Sequence, residues 1–228
     1  MEAHTAPNPS TAQTPRQGRR RTQAERTALS DARMLDAAVG LIGQRGTAGT
    51  TLKEVGERAG YSRGLAGYRF GSKEGLFGFV VRAVGEEWLR ELTRVTRARV
   101  GIAAIEAALD AHKRFIADTP AHVRAFYVLW FESIGPRSEV KSVIERVHER
   151  RRRDVLDWIE RGVVAGEIDP DVDALAVADH FCGAIVGIVY QWLVRPEGRA
   201  RIDTMHETLK LTMRALLPPR PLSEEPQR

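Results

Sequence analysis

Apolar residues recur at helical spacing along most of the chain from about residue 28. Leu35, Ala38, Val39 and Ile42 lie at i, i+3, i+4 and i+7, and Gly46 follows where a helix is expected to end. The same periodicity predicts three helices that begin near Thr51, Ser62 and Ser72, and then helices at about 102–118, 121–134, 138–165, 170–194 and 199–217. The pattern therefore predicts an all-α fold of about nine helices.

One segment, 185–194, is rich enough in β-branched residues to form a strand. No second alternating run is present to pair with it, and the Ala-rich sequence before it continues the helical pattern. A helix is therefore the favoured interpretation.

The two short helices near the N-terminus have the sequence pattern of a helix-turn-helix. Thr51 and Glu54 have the spacing of a capping box, Gly56 is small where a crossing helix would collide with a side chain, and Gly60 suits the positive φ of a tight turn. In such a motif the second helix enters the major groove of DNA and its exposed side chains reach the base edges.

Composition narrows the class of protein. The chain has 228 residues, 43% hydrophobic and 29% charged, with Cys182 as its single cysteine. One cysteine excludes a disulfide within the chain and a multi-cysteine zinc cluster, and it favours a reducing compartment. The first 27 residues lack the apolar run of a signal peptide, and the longest uncharged apolar stretch, 181–194, is shorter than the roughly 20 residues that span a bilayer. These features predict a cytoplasmic protein.

The net charge of +5 lies entirely near the N-terminus. Residues 1–75 contain 12 Lys+Arg and 7 Asp+Glu, whereas residues 76–228 contain 23 of each. A basic end on a neutral body indicates a nucleic-acid-binding module joined to a module with another partner, although a solvated tail is an alternative.

Particular side chains in the basic end suit contacts with DNA. Arg63 can pair with guanine edges, Ser62 and Tyr68 can donate to phosphates, and Arg69 can neutralise charge at the far end of the helix. Ser72 and Lys73 place a helix N-terminus beside a cation, as a phosphate anchor requires, and Thr51 can make the equivalent contact on the opposite flank. The predicted DNA-binding residues are Thr51, Tyr61, Ser62, Arg63, Gly64, Tyr68, Arg69 and Lys73.

The segment from Arg33 to Leu76 resembles the DNA-binding domain of TetR-family transcriptional regulators. The resemblance is carried by RMLDAAVGLIGQRG, TTLKEVGERAGYSRG and FGSKEGL. It implies a homodimer with an N-terminal three-helix DNA-binding domain and a C-terminal helical domain that binds a small effector. It also places Thr51 and Lys73 on the family's phosphate contacts, and Ser62, Arg63, Gly64 and Tyr68 on its recognition helix. Ala66 and Gly67 stand where the family usually has large residues, which leaves open which side chains reach the bases.

The expected domains are a disordered basic arm (1–27), a DNA-binding domain (28–75), an effector-binding and dimerisation domain (76–217) and a flexible tail (218–228). The arm, with Arg19 to Arg21, either enters the minor groove or remains a charged tail. Aromatic residues that could line an effector pocket, or simply fill the core, are Trp88, Phe115, Phe126, Tyr127, Trp130, Phe131 and Trp158.

The helix at 170–194 is apolar on more than one face, which predicts a dimer interface; a monomer with a doubly buried helix is the alternative. The predicted interface residues are Phe181, Ile185, Ile188, Trp192, Leu209 and Met213. The run from Arg150 to Arg153 has acidic residues at helical spacing and is expected to be a solvated face. His180 and Cys182 lie on different faces of their helix, so no metal site and no cofactor are expected.

The sequence therefore favours a ligand-responsive DNA-binding regulator that binds a near-palindromic operator, with repression favoured over activation. An all-helical enzyme and a protein that coats nucleic acid without sequence preference are the competing classes. No nucleophile–base pair or metal set supports the enzyme.

Overall fold

The computed structural model describes residues 22–62, 64–135 and 139–221, and over these residues the chain forms nine α-helices and no strand. The helices are α1 (Gln23–Arg45), α2 (Leu52–Arg58), α3 (Leu65–Phe70), α4 (Lys73–Thr96), α5 (Gly101–Asp118), α6 (Pro120–Glu132), α7 (Glu139–Val164), α8 (Ala174–Val194) and α9 (Arg199–Leu216). The all-α prediction is confirmed, and the segment at 185–194 is helical.

Helix α1 begins earlier than the periodicity indicated. The Thr22 hydroxyl accepts a hydrogen bond from the Glu25 amide at 3.1 Å, and the Thr22 amide donates to the Glu25 carboxylate at 2.7 Å. This reciprocal pair is a capping box, which satisfies two amides that a helix N-terminus leaves free. Residues 23–27 are therefore helical and not part of a disordered arm, while Arg19 to Arg21 lie outside the described residues.

Two other helices start later than predicted. Helix α3 begins at Leu65, three residues after Ser62. Helix α8 begins at Ala174, because the Asp173 side chain caps it by accepting from the Ala176 amide at 3.0 Å. The Asp169-Pro170 pair, which suggested the start of α8, lies in the preceding turn.

Helix α4 connects the two ends of the molecule. It packs against α1 and α3 near its N-terminus and against α5, α6 and α7 further along. Leu76, Val80 and Val81 on α4 are completely buried, and one continuous apolar core extends past them from α1 to α9. The first three helices, called the head here, and the remaining helices, called the body, therefore share their core through α4.

A second contact joins head and body. Helix α1 packs along α6, and His122 on α6 lies 3.3 Å from the carboxylate of Asp36 on α1. The head is thus held by two body helices, α4 and α6.

Helix α8 is long and apolar enough to cross a membrane on length and composition alone, with a mean hydropathy of 1.4 over its most apolar window. The expectation that this segment is too short to span a bilayer was therefore wrong, since the whole helix has 21 residues. Core helices of soluble proteins meet the same criterion, and α8 packs on α7 and α9.

Helices α5 and α7 approach each other through two glycines. A Cβ on Gly162 would lie 2.6 Å from Ile168 Cδ1 and 2.7 Å from the Cα of Gly101, and Gly101 itself has a φ of +53°. The backbones meet so closely that a methyl group does not fit between them.

We expect Gly162→Ala to destabilise the protein by about 1–3 kcal/mol, because the added methyl group forces the two backbones apart. The matched control is Gly43→Ala on α1, where a Cβ meets nothing within 4 Å. That change should be neutral or stabilise by up to about 1 kcal/mol through helix propensity. Urea unfolding of both variants measures the difference, and equal stabilities would contradict the close approach.

Candidate functional site

The tight packing of α3 against α2 depends on two glycines. A Cβ on Gly56 would lie 3.1 Å from the carbonyl oxygen of Ser62 and 3.6 Å from the Cβ of Ala66, and Gly60 has a φ of +80°. The Tyr61 amide also donates to the Gly56 carbonyl at 2.9 Å. The close approach and tight turn predicted for these positions are confirmed, and together they fix the orientation of α3.

The faces of α3 differ sharply in exposure. Ala66 is completely buried against α2, whereas the Tyr68 side chain is 91% exposed. Leu65 and Phe70 are part-buried, and the Phe70 ring packs on Phe79 with 4.9 Å between centroids. The small residue at 66 therefore fits the helix crossing, and Tyr68 is the large side chain that α3 presents to solvent.

Arg69 takes part in an ion pair within the head. Its guanidinium contacts the carboxylate of Asp31 on α1, and both side chains are partly exposed. Arg69 was expected to neutralise charge on DNA, and its ion pair with Asp31 was not predicted. In the free protein the residue ties the end of α3 to α1.

The N-termini of α2 and α4 lie on either side of α3 in sequence, and each is capped by a hydroxyl. Thr51 Oγ1 accepts from the Glu54 amide at 3.3 Å, and Ser72 Oγ accepts from the Gly75 amide at 3.0 Å. Both predicted hydroxyl caps are therefore present, but the Glu54 carboxylate accepts from the Thr51 hydroxyl and not, as a capping box requires, from the Thr51 amide. The Thr51 hydroxyl also donates to the Glu54 carboxylate at 2.8 Å, and this bond, followed by the charge and hydrogen bond of Arg45, lowers the pKa of Glu54.

Lys73, in the first turn of α4, binds the loop between α1 and α2. Its ammonium donates to the Ala48 carbonyl at 3.0 Å and lies 5.7 Å from the centre of the Phe77 ring. An ammonium has three N–H donors, so two remain for an external acceptor. The loop contact positions this cation at the capped N-terminus of α4.

The remaining head residues divide as follows. Ser62 and Gly64 are exposed, Tyr61 is part-buried against the core, and Arg63 lies outside the described residues. Thr51 is also exposed. The predicted residues that are exposed therefore lie just before α2, just before α3 and on α3 itself.

Two small cavities lie side by side in the body. The first, about 20 Å³, is lined by Val84, Gly85, Trp88, His112, Phe115, Val123, Phe126, Tyr127 and Arg151. The second, about 10 Å³, is lined by Trp88, Leu92, Ala108, His112, Arg151, Val155, Trp158, Phe181 and Ile185. Each has room for about one water molecule. Trp88, His112 and Arg151 border both, so these three side chains form the partition between them.

Five of the seven aromatic residues predicted to line a pocket border these cavities. Phe131 and Trp130 do not: Phe131 packs edge-on against Tyr190, with 6.1 Å between ring centroids, and Trp130 packs against Arg151. Their aromatic character alone could not distinguish a cavity wall from ordinary packing.

Arg151 was not predicted to line a cavity, yet it borders both. Arg150, Arg152 and Arg153 do pair with Asp154 and Glu149, as expected of a solvated face. Arg151 is only 7% exposed. It occupies the inward stripe of α7, whose other members are Ile144, Val147, Val155 and Trp158, so the helical period of the apolar positions carried the signal.

A chain of hydrogen bonds sets the protonation of His112. His206 Nδ1 lies 2.8 Å from the Ile202 carbonyl, which can only accept, so Nδ1 carries the proton and His206 Nε2 accepts. His112 Nδ1, 2.9 Å from that Nε2, is then the donor. Burial, followed by the charges of His206 and Arg151, holds the pKa of His112 well below 6.5, and burial also lowers that of His206. Both rings are therefore neutral at neutral pH.

The six residues predicted to form a dimer interface face the chain's own core. Their side chains are 0–7% exposed: Phe181, Ile185, Ile188, Trp192, Leu209 and Met213. The prediction was wrong because α8 is apolar on nearly all sides, and two of its stripes are buried in the body.

A third stripe of α8 faces solvent. It contains Gly183, Gly187, Tyr190 and Val194, and Leu211 is exposed on α9, the helix that packs against α8. Tyr190, Val194 and Leu211 are 53%, 60% and 63% exposed, and a Cβ on either glycine would meet nothing within 4 Å. This surface is called the outer α8–α9 face below. His180 lies beside it, exposed, whereas Cys182 is buried, which raises the pKa of its thiol.

Comparison with known proteins gives a consistent result. A family model described as "Bacterial regulatory proteins, tetR family" matches residues 34–78. The HTH-type transcriptional regulator YfiR of Bacillus subtilis is 26% identical over 189 residues, which cover 82% of this chain and 91% of that protein. The HTH-type transcriptional repressor Rv3405c of Mycobacterium tuberculosis is 35% identical over 86 residues, 38% of this chain and 44% of that protein.

Among solved structures, one described as the SmeT-Triclosan complex has the same fold. It superposes with a TM-score of 0.67 at 18% identity and covers 87% of this chain and 99% of its own.

We expect the stability of the protein to fall as the pH drops below about 6.5, because the unfolded chain takes up protons that the buried, neutral His112 does not. Each such histidine adds a slope of up to about 1.4 kcal/mol per pH unit in this range. His112→Gln keeps a donor toward His206 but cannot titrate, so its stability should fall less steeply between pH 6.5 and 5. Urea unfolding at several pH values checks this, with exposed His180→Gln as the control; an unchanged slope in His112→Gln would refute it.

Proposed function

This chain belongs to the TetR family of bacterial transcriptional regulators, and from this premise we propose that it is a ligand-responsive repressor acting in the cytoplasm. In this proposal the head, together with the first turn of α4, binds one half of a near-palindromic operator. The body, residues 76–217, binds a small molecule and pairs with a second copy of the chain. The family consists of transcriptional regulators and not enzymes.

The observation that carries DNA binding is the exposure of Tyr68. A tyrosine side chain that is 91% exposed loses the benefit of burying its ring, yet α3 holds it outward while Ala66 anchors the opposite face. In a helix-turn-helix the second helix lies in the major groove with its outward side chains at the bases and backbone. Tyr68 is therefore the central contact of our proposed interface.

Thr51 and Lys73 are the proposed phosphate contacts. Each stands at the N-terminus of a helix, where free amides and the positive end of the helix dipole attract an anion. Lys73 is already held against the Ala48 carbonyl, so little side-chain entropy is lost when a phosphate binds. Ser62, Gly64 and Arg63 complete the proposed reading surface, with Arg63 assigned from sequence.

The outer α8–α9 face is the proposed surface for dimerisation. It exposes Tyr190, Val194 and Leu211, and Gly183 and Gly187 allow a second helix to approach closely. A two-fold axis through this face would pair α8 and α9 with their copies in a four-helix arrangement. Two copies of α3 then enter successive major grooves roughly 34–36 Å apart, which is why the operator should be near-palindromic.

Release of DNA is proposed to act through α4. The helix runs from Lys73 at the DNA contact to Trp88 at the cavities, about 22 Å at 1.5 Å per residue. Because each cavity has room for only about one water molecule, any ligand must displace side chains of α4 or its neighbours. A ligand that binds the displaced state better shifts the population away from the DNA-binding state, and DNA must weaken ligand binding by the same factor.

Two similar proteins support the finer parts of the proposal. Rv3405c is named as a repressor, and SmeT is observed in complex with triclosan. A repressor and a protein in complex with a small molecule are therefore named among proteins that resemble this chain in sequence or in fold.

Selection from a randomised DNA pool tests the proposal as a whole. We expect enrichment of a near-palindrome. Binding without sequence preference and with a steep salt dependence would instead indicate a nucleic-acid-coating protein, and no binding would refute the proposal.

On the selected operator, Tyr68→Ala should weaken binding at least tenfold without changing the melting temperature, because its side chain is exposed and supports no packing. Lys73→Ala should weaken binding to all sequences and reduce the slope of log K against log salt by about one unit, whereas Arg63→Ala should lose discrimination between sequences. Fluorescence anisotropy at several salt concentrations measures each effect. If Tyr68→Ala bound the operator with wild-type affinity, α3 would not be the helix that reads the DNA.

Leu211→Arg should convert the dimer into a monomer, because a charge cannot be buried in an apolar interface without a partner. Light scattering coupled to size-exclusion chromatography measures the mass. Val164→Arg is the matched control, since Val164 is an exposed apolar residue at the end of α7 and outside this face. A Leu211→Arg protein that remains dimeric would place the interface elsewhere.

A further inference from the structure

We propose that the paired cavities around Arg151 bind a small molecule with an apolar, ring-containing body and an anionic head group, a carboxylate in the first instance. The inference rests on the proposed function in assuming that the body binds an effector, and it adds the chemical class of that effector. One buried cation, the hydrogen-bond donors beside it and the apolar walls define the proposed site.

Arg151 is a buried charge without a counterion. Only 7% of the residue is exposed, and in the described part of the chain no carboxylate lies within 4 Å of its guanidinium. Its contacts are a 3.3 Å hydrogen bond to the Tyr127 hydroxyl and a position 5.6 Å from the centre of the Trp130 ring. Burying an unpaired ion is strongly unfavourable, and an arginine is usually found inside a protein with an anionic partner. The geometry leaves that partner to be supplied from outside.

The polar groups around the cavities are mostly unused donors. A guanidinium has five N–H groups, of which one binds Tyr127. The indole Nε1 of Trp88 is buried and has no acceptor among the described residues. The Tyr127 hydroxyl receives its bond from Arg151 as an acceptor, which leaves its own proton to donate. A head group that offers several acceptor atoms and a negative charge matches this set, and a carboxylate does both.

The histidine at the partition does not compensate the charge. His112 uses its single proton in the bond to His206, and burial keeps the ring neutral. The adjacent arginines on α7 are matched by Asp154, Glu149 and Asp179, so those acids are already paired on the outer side of the helix. Arg151 therefore supplies the only formal charge that lines either cavity in the described structure.

The walls define the rest of the ligand. Val84, Phe115, Val123 and Phe126 line the first cavity, and Leu92, Val155, Trp158 and Ile185 line the second. Trp88, His112 and Arg151 border both cavities, so a ligand that displaced Trp88 and Arg151 could occupy both with the guanidinium beside it. A ligand with a ring-sized apolar body would fill this space, and its acid would meet Arg151.

The test compares acids with their uncharged isosteres. Phenylacetate, indole-3-acetate and 1-naphthoate are each titrated against the corresponding primary amide on the full-length protein without DNA. Isothermal calorimetry measures the affinity of each ligand, and with phenylacetate, which does not absorb where tryptophan does, quenching of the intrinsic tryptophan fluorescence reports occupancy. We expect at least one acid to bind tenfold or more tightly than its amide. Absence of binding by every acid, or equal binding of acids and amides, would overturn the inference.

Substitutions identify the residue responsible. Arg151→Met should abolish the preference for acid over amide and leave the melting temperature of the free protein unchanged or higher, because it removes an uncompensated buried charge. Arg150→Met is the matched control, since Arg150 is an exposed neighbour paired with Asp154. Retention of the acid preference in Arg151→Met would overturn the inference.

A second variant covers the case in which Arg151→Met does not fold. Trp88→Phe keeps an aromatic ring but removes the Nε1 donor, so the acid should lose affinity several-fold while its amide changes less. If Trp88→Phe binds acid and amide with unchanged affinities, Trp88 has no part in the site and the donor-rich cavity is refuted.

The inference and the proposed function can fail separately. Acid binding to the isolated protein supports the inference whether or not an operator is found, because that measurement contains no DNA. If an operator is selected and the preferred acid weakens operator binding by the wild-type protein but not by Arg151→Met, the proposed function and the inference are both supported. If DNA selection succeeds while no acid binds, the repressor survives and the anionic ligand class is rejected.

Discussion

The helices that would read DNA are too short to be stable alone, and the structure of the rest of the molecule follows from this constraint. Helices α2 and α3 have seven and six residues, and each buries only a few apolar side chains. They are held because Gly56 allows α3 to cross closely and because α4 extends the core of the head into the body. The head therefore shares its packing with α4, which is why we propose that a change in α4 reaches the exposed face of α3.

In the proposed mechanism, α4 responds to a ligand bound at the cavities of the body. Trp88 stands on α4 at the partition between two cavities, each too small for more than about one water molecule. If the cavities are the ligand site, as we propose, they must open when the ligand enters, and the opening would disturb contacts among α4, α5, α6 and α7. The unpaired Arg151 fits this view, since an interior cation lowers the stability of the empty body and is best explained by an anion that sometimes accompanies it.

Helix α8 shows how apolar surface is divided between folding and association. Phe181, Ile185 and Trp192 are buried in the chain's own core, and the stripe that remains exposed consists largely of small residues with Tyr190 among them. Small residues at a helix surface contribute little to folding but allow a second helix to approach closely. The same helix can therefore complete the body and present a surface to a second copy.

Much of this protein follows from sequence alone, where the determining interactions are local. Hydrophobic period, hydroxyl caps such as Thr51 and Ser72, and the turn at Gly60 depend on residues within a few positions of one another, so the nine helices and the helix-turn-helix could be predicted. The inward face of α8 could not, because several of its stripes are equally apolar, and only packing on α7 and α9 selected two of them. Likewise, a run of four arginines looks uniformly solvated until the orientation of α7 is known. Tertiary structure alone decided that Arg151 points inward, since its burial depends on helices distant in sequence.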